Sequence, residues 1–199
     1  MTAPSLLEML ERRAQACRDC PLAAATDQVV FGDGDPHAQL MLIGEAPGYH
    51  EDRQGIPFVG AAGQLLNRLL GEVDLERPDV YITNVLKRRP PGNRDPLPAE
   101  IEACKGYLAE QIRLVDPKVV MTLGVFSTKL LLKRSAGVGR LRGQAYPWWN
   151  RLVVPTFHPA AALRGGVEVV SGMREDFALV RKLLDEELTG PAEQLDLFG

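Results

Sequence analysis

Short apolar runs alternate with longer amphipathic stretches along most of the chain. Four of the runs are five to seven residues long and consist largely of β-branched or other apolar side chains, which is typical of strands buried on both faces of a parallel sheet. In the stretches between and after them, apolar residues recur with helical periodicity. This alternation predicts an α/β domain. The predicted strands are Gln39–Ile43, Val80–Leu86, Val119–Leu123 and Leu152–Phe157, and the predicted helices are Ala62–Val73, Pro98–Val115, Phe126–Leu132 and Arg174–Leu188.

The connections between the predicted strands are long enough for helical crossovers, so neighbouring strands can run in parallel. We therefore expect a three-layer α/β/α fold with a central, mostly parallel four-stranded sheet. The pattern ends near residue 189, and residues 1–189 are expected to form one domain. Residues 190–199, which start with the Gly190-Pro191 break, are expected to be a short tail outside it.

The composition is that of a folded globular protein. Of the 199 residues, 45% are hydrophobic and 25% are charged, which excludes a largely disordered, collagen-like or disulfide-dense chain. No apolar run is long enough to predict a membrane span. The N-terminal segment carries Glu8, Glu11, Arg12 and Arg13 instead of an apolar stretch, so no secretory signal is predicted and we expect a cytoplasmic protein.

The net charge is unevenly distributed along the chain. It totals −3, and the segment from Glu175 onward carries −5, which leaves +2 for residues 1–174. The basic side chains of that body are concentrated in two loops. They either form a phosphate-binding face or are ordinary solvated loop charges, and the sequence alone leaves both interpretations open. The loop residues are Lys87, Arg88, Arg89 and Arg94, and Arg140 with Arg142.

The chain contains three cysteines, Cys17, Cys20 and Cys104. An odd number in a chain interpreted as intracellular makes a disulfide framework a poor explanation. The Cys17-x-x-Cys20 pair lies in a polar segment before the first predicted strand and opens no βαβ unit of thioredoxin type. Metal ligation is therefore favoured, and the alternative is an inert pair with a separately buried Cys104.

Residues of types suited to catalysis or ligand binding follow the predicted strands. In an open parallel sheet the ligand site lies beyond the carboxyl ends of the strands. The segment Gly44–Gly48 follows the first strand, Asn84 and the basic loop follow or end the second, Gly124 follows the third, and His158 follows the fourth. An acid, an amide, a histidine and a basic loop are thus expected to meet at one edge of the sheet.

Several long motifs in this order resemble those of the family 4 uracil-DNA glycosylases, the iron–sulfur members of the uracil-DNA glycosylase superfamily. The resemblance covers about residues 17–185. The motifs are Gly44-Glu45-Ala46-Pro47-Gly48 with Glu51-Asp52, Pro57-Phe58-Val59-Gly60 leading to Ala62-Gly63-Gln64-Leu65-Leu66, Thr83-Asn84-Val85 with Pro90-Pro91-Gly92-Asn93-Arg94, and His158-Pro159-Ala160 with Leu163-Arg164.

The resemblance implies an enzyme that hydrolyses the N-glycosidic bond of deoxyuridine in DNA and leaves an abasic site. Such an enzyme turns the nucleotide out of the stack into a pocket. By resemblance, Phe58 stacks on the base, Asn84 binds uracil O4 and N3–H, and His158 donates a hydrogen bond to O2. The alternatives are a core phenylalanine, an asparagine that caps a turn and a structural histidine.

The resemblance also assigns roles in the first motif. Ala46 stands where related families carry an aspartate, so Glu45 is expected either to position the attacking water or to stabilise the sugar cation. Gly44 and Ala46 are expected to line the substrate pocket. Glu51 is expected to line the C5 edge of uracil and exclude thymine, and Asn93 to lie near the site. The alternatives are a carboxylate of Glu45 held by backbone N–H groups and a solvated Glu51.

The substrate is expected to be uracil-containing DNA, both single- and double-stranded. Arg88, Arg89 and Arg94 are expected to bind phosphates or the orphan base. Leu163, with Arg164 beside it, resembles the wedge that fills the stack after the base has left, and its alternative is a buried anchor under the loop. A catalytically inactive uracil-DNA binding module and a redox-sensing iron–sulfur protein are competing functions.

The resemblance implies a [4Fe–4S] cluster with four cysteine ligands, of which Cys17, Cys20 and Cys104 are three. Arg88 stands at the fourth position, and its guanidinium is a poor iron ligand. The cluster is held by three cysteines and another group, or is deficient in iron, or is absent. We favour a retained cluster because the other three ligands persist together.

The predicted tail carries a second resemblance. Gln194-Leu195-Asp196-Leu197-Phe198 resembles the pentapeptide with which bacterial repair and replication proteins bind the sliding clamp. Three large apolar side chains in a free terminal segment favour groove binding over an ordinary frayed end, and the alternative is that they fold back on the domain. The expected partners are therefore DNA and a bacterial clamp, with the protein itself a monomer.

Overall fold

The computed structural model describes residues 5–26 and 28–186. Six strands form one sheet in the order β1-β3-β2-β4-β6-β5. The four central strands are parallel, whereas each edge strand pairs antiparallel with its neighbour. The strands are β1 (Asp33–Gly34), β2 (Leu40–Gly44), β3 (Tyr81–Asn84), β4 (Val119–Leu123), β5 (Tyr146–Trp148) and β6 (Arg151–Thr156).

Eight α-helices and three short 3₁₀ helices connect or flank the strands in the described part of the chain. None of these helices is long and apolar enough to cross a membrane. The α-helices are α1 (Leu6–Ala16), α2 (Tyr49–Gln54), α3 (Ala61–Gly71), α4 (Pro98–Val115), α5 (Val125–Leu132), α6 (Val138–Leu141), α7 (Pro159–Gly165) and α8 (Val167–Asp185), and the 3₁₀ helices are Pro21–Ala24, Arg77–Asp79 and Pro91–Asn93.

The sheet is covered on both faces, because successive strand residues point to opposite sides. On β2, Leu40 and Leu42 pack into a core with Phe177 of α8 and with apolar residues of α3. Met41 and Ile43 point to the other face and pack into a second core with Ile112 of α4. All five residues of β2 are buried, as expected of a central parallel strand. The predicted three-layer α/β/α architecture is confirmed.

The predicted sheet of four strands is correct for its parallel centre and wrong in its total number. Strand β4 and helix α4 have the predicted bounds. The two extra strands, β1 and β5, are two and three residues long, too short to produce an apolar run of their own. Pairing to an already formed neighbour holds them in place, and such long-range pairing leaves little local signal.

Most boundaries differ from the prediction by at most two residues, and two of the differences have identifiable local reasons. Helix α8 begins at Val167 instead of Arg174 because Gly166, at a φ of 78°, breaks it from α7. Strand β3 ends at Asn84, and the next two N–H groups, of Val85 and Leu86, donate to the carbonyls of Gly44 at the end of β2 and of Glu45 directly after it. The predicted domain boundary at residue 189 and the tail 190–199 lie outside the described residues.

Candidate active site

A cavity of about 630 Å³ opens at the carboxyl ends of the four parallel strands. Its walls come from the segments that follow β2, β3, β4 and β6, which is the convergence predicted from the strand ends. The predicted site residues that line it are Glu45, Ala46, Glu51, Phe58, Asn84, Asn93, Arg94, His158 and Arg164. It is also lined by Asp95 and Gly124, which were not assigned a role from sequence.

Gly44 allows two of the predicted base-contacting residues to meet at the cavity floor. A Cβ on Gly44 would lie 2.3 Å from Asn84 Oδ1 and 2.6 Å from Phe58 Cζ. Both distances are shorter than any stable contact, so a larger residue would push both side chains away. Gly44 itself is not among the residues that line the cavity, in contrast to the prediction, and its part is to leave the space that these two side chains occupy.

Phe58 belongs both to the core and to the cavity wall. Its side chain is 6% exposed and packs in the same core as the helices α3 and α8. Its backbone adopts a left-handed φ of 53°, and its carbonyl accepts a hydrogen bond from Arg77 Nη1 at 3.2 Å. A Cβ on Gly63 would lie 1.7 Å from that carbonyl oxygen. The backbone of Phe58 is thus held by Arg77 and by the close approach of Gly63, and its ring is held by core packing, as a stacking surface requires.

Asn84 lines the cavity and carries a buried hydrogen-bond acceptor that has no partner among the described residues. The residue ends β3 opposite Gly44 and is 1% exposed. Its Oδ1 is buried and has no hydrogen-bond partner among the described residues. A buried acceptor without a partner costs about 1–3 kcal/mol. A ligand that brings an N–H group to this oxygen would recover that cost.

His158 is held as a neutral imidazole with a defined tautomer. It caps α7, and its Nδ1 accepts a hydrogen bond from the Ala160 N–H at 3.1 Å. Burial and, to a lesser extent, the positive charge of Arg164 lower the pKa of His158 to about 4. The proton of the neutral ring therefore resides on Nε2, which is left as a donor. The Phe58 and His158 ring centroids lie 5.7 Å apart, so this donor is beside the stacking surface.

Glu45 follows β2 directly and lines the same cavity. Burial, with a smaller contribution from the nearby Asp95 carboxylate, raises the pKa of Glu45 to about 7. A carboxyl with such a pKa exchanges a proton near neutral pH, which suits a general base. The structure therefore places the predicted catalytic acid–base group in one cavity with the predicted donor, His158.

The alternative that Glu51 is a solvated acid is wrong. It is 9% exposed, and its Oε1 accepts hydrogen bonds from the backbone N–H groups of Val59 and Gly60, each at 2.9 Å. This carboxylate therefore fastens the segment that carries Phe58. Backbone donors leave no trace in a sequence pattern, which explains why the contact was not predicted. Glu51 also lines the cavity, and its proposed contact with the C5 edge stays a prediction.

The basic loop divides into a buried and an outer half. Arg88 is 8% exposed, and its Nη1 donates to Thr26 Oγ1 at 3.0 Å. The assignment of Arg88 to the DNA-binding surface is therefore wrong, because the chain reaches the surface one residue later, at Arg89. Arg89 Nε donates to Asn93 Oδ1 at 2.6 Å. Arg94 lines the cavity and pairs with Glu100 at 2.6 Å.

Lys87, the other buried member of this loop, contacts the site from behind. It is 3% exposed, and its Nζ donates to Asn84 O at 2.6 Å and to Thr83 Oγ1 at 2.8 Å. Burial lowers the pKa of Lys87 to about 7. Sequence reasoning counted Lys87 as one of several loop charges and missed its support of the Asn84 backbone.

The predicted wedge lies on α7, on the other side of the cavity. Leu163 is 49% exposed, so the alternative of a buried anchor is wrong. Arg164, next to it, lines the cavity. An exposed leucine beside the opening is in a suitable place to enter a base stack, which remains a prediction for Leu163.

The three cysteines meet in a second, much smaller pocket of about 20 Å³, where Lys87 and Arg88 also form part of the wall. The Cys104 thiol contacts the backbone N–H of Lys87, and Cys17 Sγ donates to Asp19 Oδ2 at 3.3 Å. Within the described ranges, no group of three or more histidine, cysteine or acidic side chains is close enough to hold a single metal ion. The three cysteines thus share a pocket with Arg88, the residue that the resemblance puts at the fourth ligand position, and the cluster itself stays a prediction.

Comparison with known proteins shows the family of this chain. A model of the uracil DNA glycosylase superfamily matches residues 31–181, and the chain belongs to this superfamily. The Type-4 uracil-DNA glycosylase of Sulfurisphaera tokodaii is 42% identical over 186 residues, which cover 89% of this chain and 84% of that protein. The protein of the same description from Thermotoga maritima is 40% identical, over 82% of this chain and 86% of its own. The Type-5 uracil-DNA glycosylase of Thermus thermophilus is 33% identical over 67% of this chain and 73% of its own.

Proposed function

We propose that this protein is a DNA repair glycosylase that hydrolyses the N-glycosidic bond of deoxyuridine in DNA, releases uracil and leaves an abasic site. The observation that carries the proposal is the buried, unpartnered Oδ1 of Asn84 in one cavity with the neutral His158. The relatives described as Type-4 uracil-DNA glycosylases support it.

The cavity suits uracil better than cytosine. A base that stacks on Phe58 can bring its N3–H to Asn84 Oδ1 and its O4 to the amide N–H of the same side chain. Cytosine offers an acceptor at N3 and a donor at C4, so both contacts would become repulsive. A site built to make two such hydrogen bonds rejects a ligand that leaves them unpaired.

His158 stabilises the departing base. As the bond between C1′ and N1 breaks, its electron pair moves onto the base, and negative charge grows on uracil O2 while the sugar becomes an oxocarbenium-like cation. The Nε2–H of neutral His158 donates to O2 without giving up its proton. Because the Ala160 N–H already fixes Nδ1, the donor needs no reorganisation during the reaction.

Glu45 in its ionised form completes the hydrolysis. The carboxylate either orients water toward C1′ and accepts its proton, or stabilises the cationic sugar directly. In the first case the water oxygen forms the new bond to C1′, and the uracil anion takes a proton from solvent after release. Both roles require the deprotonated form, so the raised pKa of Glu45 sets the lower pH limit of activity.

Release of free uracil from single- and double-stranded oligonucleotides tests the proposal. Release from both supports the glycosylase. Tight uracil-dependent binding without release would instead establish the inactive binding module. Neither binding nor release would favour the redox-sensing iron–sulfur protein. We further propose that the protein acts as a cytoplasmic monomer.

The second pocket supports a proposed iron–sulfur cluster on Cys17, Cys20 and Cys104. The three thiols share one pocket, whereas the Arg88 guanidinium cannot serve as the fourth ligand. A bound cluster would link the N-terminal segment to α4, which is a contribution to stability. No step of the proposed hydrolysis depends on it.

Restoring the fourth thiol is expected to complete this site. The Arg88→Cys variant should contain more iron per chain than the unaltered protein, or keep its visible absorbance longer in air, with uracil release retained. Iron analysis and absorbance spectra of freshly purified protein measure both properties, and Arg88→Ala is the control that removes the guanidinium without adding a ligand. If the unaltered protein already holds four irons and Arg88→Cys changes nothing, Arg88 does not mark a deficient site.

We also propose that Gln194–Phe198 binds a bacterial sliding clamp, although this segment lies outside the described residues. Tethering at the replication fork would raise the local concentration of the enzyme near newly incorporated uracil. Deletion of residues 194–199 is expected to abolish micromolar-range clamp binding in a titration. Uracil release from free oligonucleotides should stay unchanged, and equal clamp affinity of the full and shortened chains would contradict the proposal.

A further inference from the structure

Tyr49 is an exposed aromatic residue next in sequence to a residue that lines the cavity. It is the first residue of α2 and directly follows Gly48, which lines the cavity. Its side chain is 49% exposed. A single exposed aromatic ring needs no special explanation, but the surroundings of Tyr49 distinguish it from other exposed apolar residues of the chain.

Two arginines lie against the Tyr49 ring. The guanidinium carbon of Arg53 is 5.8 Å and that of Arg89 is 5.1 Å from the ring centroid, within the range of cation–π contacts. Neither arginine forms a salt bridge with a carboxylate among the described residues. Arg89 is also bonded to Asn93, which lines the cavity. The result is an exposed aromatic ring with two guanidiniums over it, neither of which a described carboxylate neutralises, and a base that stacks on the ring would exchange these cation–π contacts for phosphate contacts of the same arginines.

Nucleic acid is the ligand class whose chemistry fits this patch. A nucleotide supplies a planar base for the ring and a phosphate for each guanidinium, and proteins that bind single strands combine these two elements. The patch also lies on a suitable side of the cavity. Tyr49 and Arg89 follow β2 and β3, whereas the proposed wedge residue Leu163 follows β6 on the other side of the sheet order. A strand whose flipped uridine fills the cavity can therefore pass Leu163 on one side and Tyr49 on the other.

We infer that Tyr49 is a stacking surface for the base of a neighbouring nucleotide in the strand that carries the uracil, with Arg53 and Arg89 binding its phosphates. The inference rests on the proposed function and adds a second base-binding position to it. In single-stranded DNA the neighbouring base is free to turn onto Tyr49. In a duplex it must first leave its own stack and partner, so Tyr49 contributes chiefly to single-stranded substrates.

Removal of the ring tests the inference. Tyr49→Ala is expected to lower kcat/KM for uracil release from a single-stranded oligonucleotide about 5- to 150-fold, the range that the loss of one base–aromatic stack produces. The loss with a duplex of the same sequence should be about threefold or less. Tyr49→Phe and Tyr49→Trp keep a π-face and should retain activity on both substrates. Thermal unfolding of each variant checks that the fold is intact.

Substrates with one base removed identify the partner of the ring. Placing an abasic nucleotide near the uridine, one position at a time, should reproduce the loss at one position in the unaltered protein. The same substrate should cause no further loss in Tyr49→Ala, because both changes remove the same stack. Equal losses on single- and double-stranded DNA, or additive losses at every position, would overturn the inference.

The outcome remains informative if the proposed function fails. If the unaltered protein releases no uracil, binding of a uracil-free single strand can still be measured by fluorescence anisotropy. Weaker binding by Tyr49→Ala, with Tyr49→Phe unchanged, would then retain the stacking surface and reject the glycosylase. Unchanged binding would reject the stacking surface.

Discussion

Replacing His158 by alanine is expected to lower kcat for uracil release by about 100- to 1000-fold, the usual cost of removing one preorganised donor to a developing oxyanion. The change in KM should be small, because the donor strengthens its contact as charge grows on uracil O2. Single-turnover kinetics on a uracil-containing oligonucleotide measure the chemical step. His158 sits at the cavity wall and not in the sheet, so the variant should remain folded.

His37→Ala is the matched control for this variant. His37 is exposed and lines a different cavity, at the opposite end of the strands, so its loss should leave uracil release unchanged. Thermal unfolding of both variants separates chemistry from stability. A His158→Ala variant that releases uracil at the wild-type rate would remove His158 from the catalytic assignment.

The meeting of Glu45, Asn84 and His158 was predictable because parallel strands end at one edge of a sheet. Each of the three residues ends or follows a buried strand, and such strands produce the strongest periodic signal in the chain. The order of the strands was not needed for this conclusion. The short edge strands β1 and β5 were not predictable, since they depend on pairing with strands already in place.

The burial of Arg88 shows where sequence reasoning reaches its limit. A charged residue in a Pro-rich loop is expected to be solvated, and most such residues are. Arg88 is instead largely buried, and its guanidinium donates a hydrogen bond to Thr26, 62 positions away in sequence. Only the tertiary fold brings these residues together. The same holds for the Glu51 carboxylate, whose partners are backbone N–H groups with no residue-type signature.

The tautomer of His158 and the π-face of Tyr49 also depend on geometry that no motif encodes. The first follows from a single N–H near Nδ1, and the second from Arg53, one turn further along α2, together with Arg89 of the basic loop. The sequence therefore predicted the residue types of the base pocket. The structure was needed for the tautomer of His158, for the contacts that hold the site residues in place and for the aromatic patch at Tyr49.

Glu45→Gln is expected to lower kcat/KM about 100-fold or more, the lower range for loss of a general base. Glutamine keeps the size of the side chain but has no charge, so it can neither accept a proton nor stabilise the sugar cation. In the unaltered protein, kcat/KM should rise with pH through about 7, where the Glu45 carboxyl ionises. The Glu45→Gln profile should lack this step, and Glu102→Gln, an exposed acid on α4, should keep it.

Glu45→Gln, which should lower activity, should raise the stability of the folded protein above about pH 7. The pKa of Glu45 is raised from 4.5 to about 7 in the folded protein by burial first and by Asp95 second. Folding is therefore favoured while Glu45 is protonated, and this contribution is lost as the pH rises from the unfolded value through the folded one. Near pH 4 the wild type and Glu45→Gln should unfold at the same temperature, whereas above about pH 7 the glutamine variant should be the more stable. Thermal unfolding at pH 4 to 8 measures the difference, and a variant that is less stable than wild type above pH 7 would show that the folded protein stabilises the carboxylate. A variant that is more stable but less active is the expected result, because the folded protein keeps the ionised Glu45 in a partly desolvated cavity for catalysis at a cost in stability.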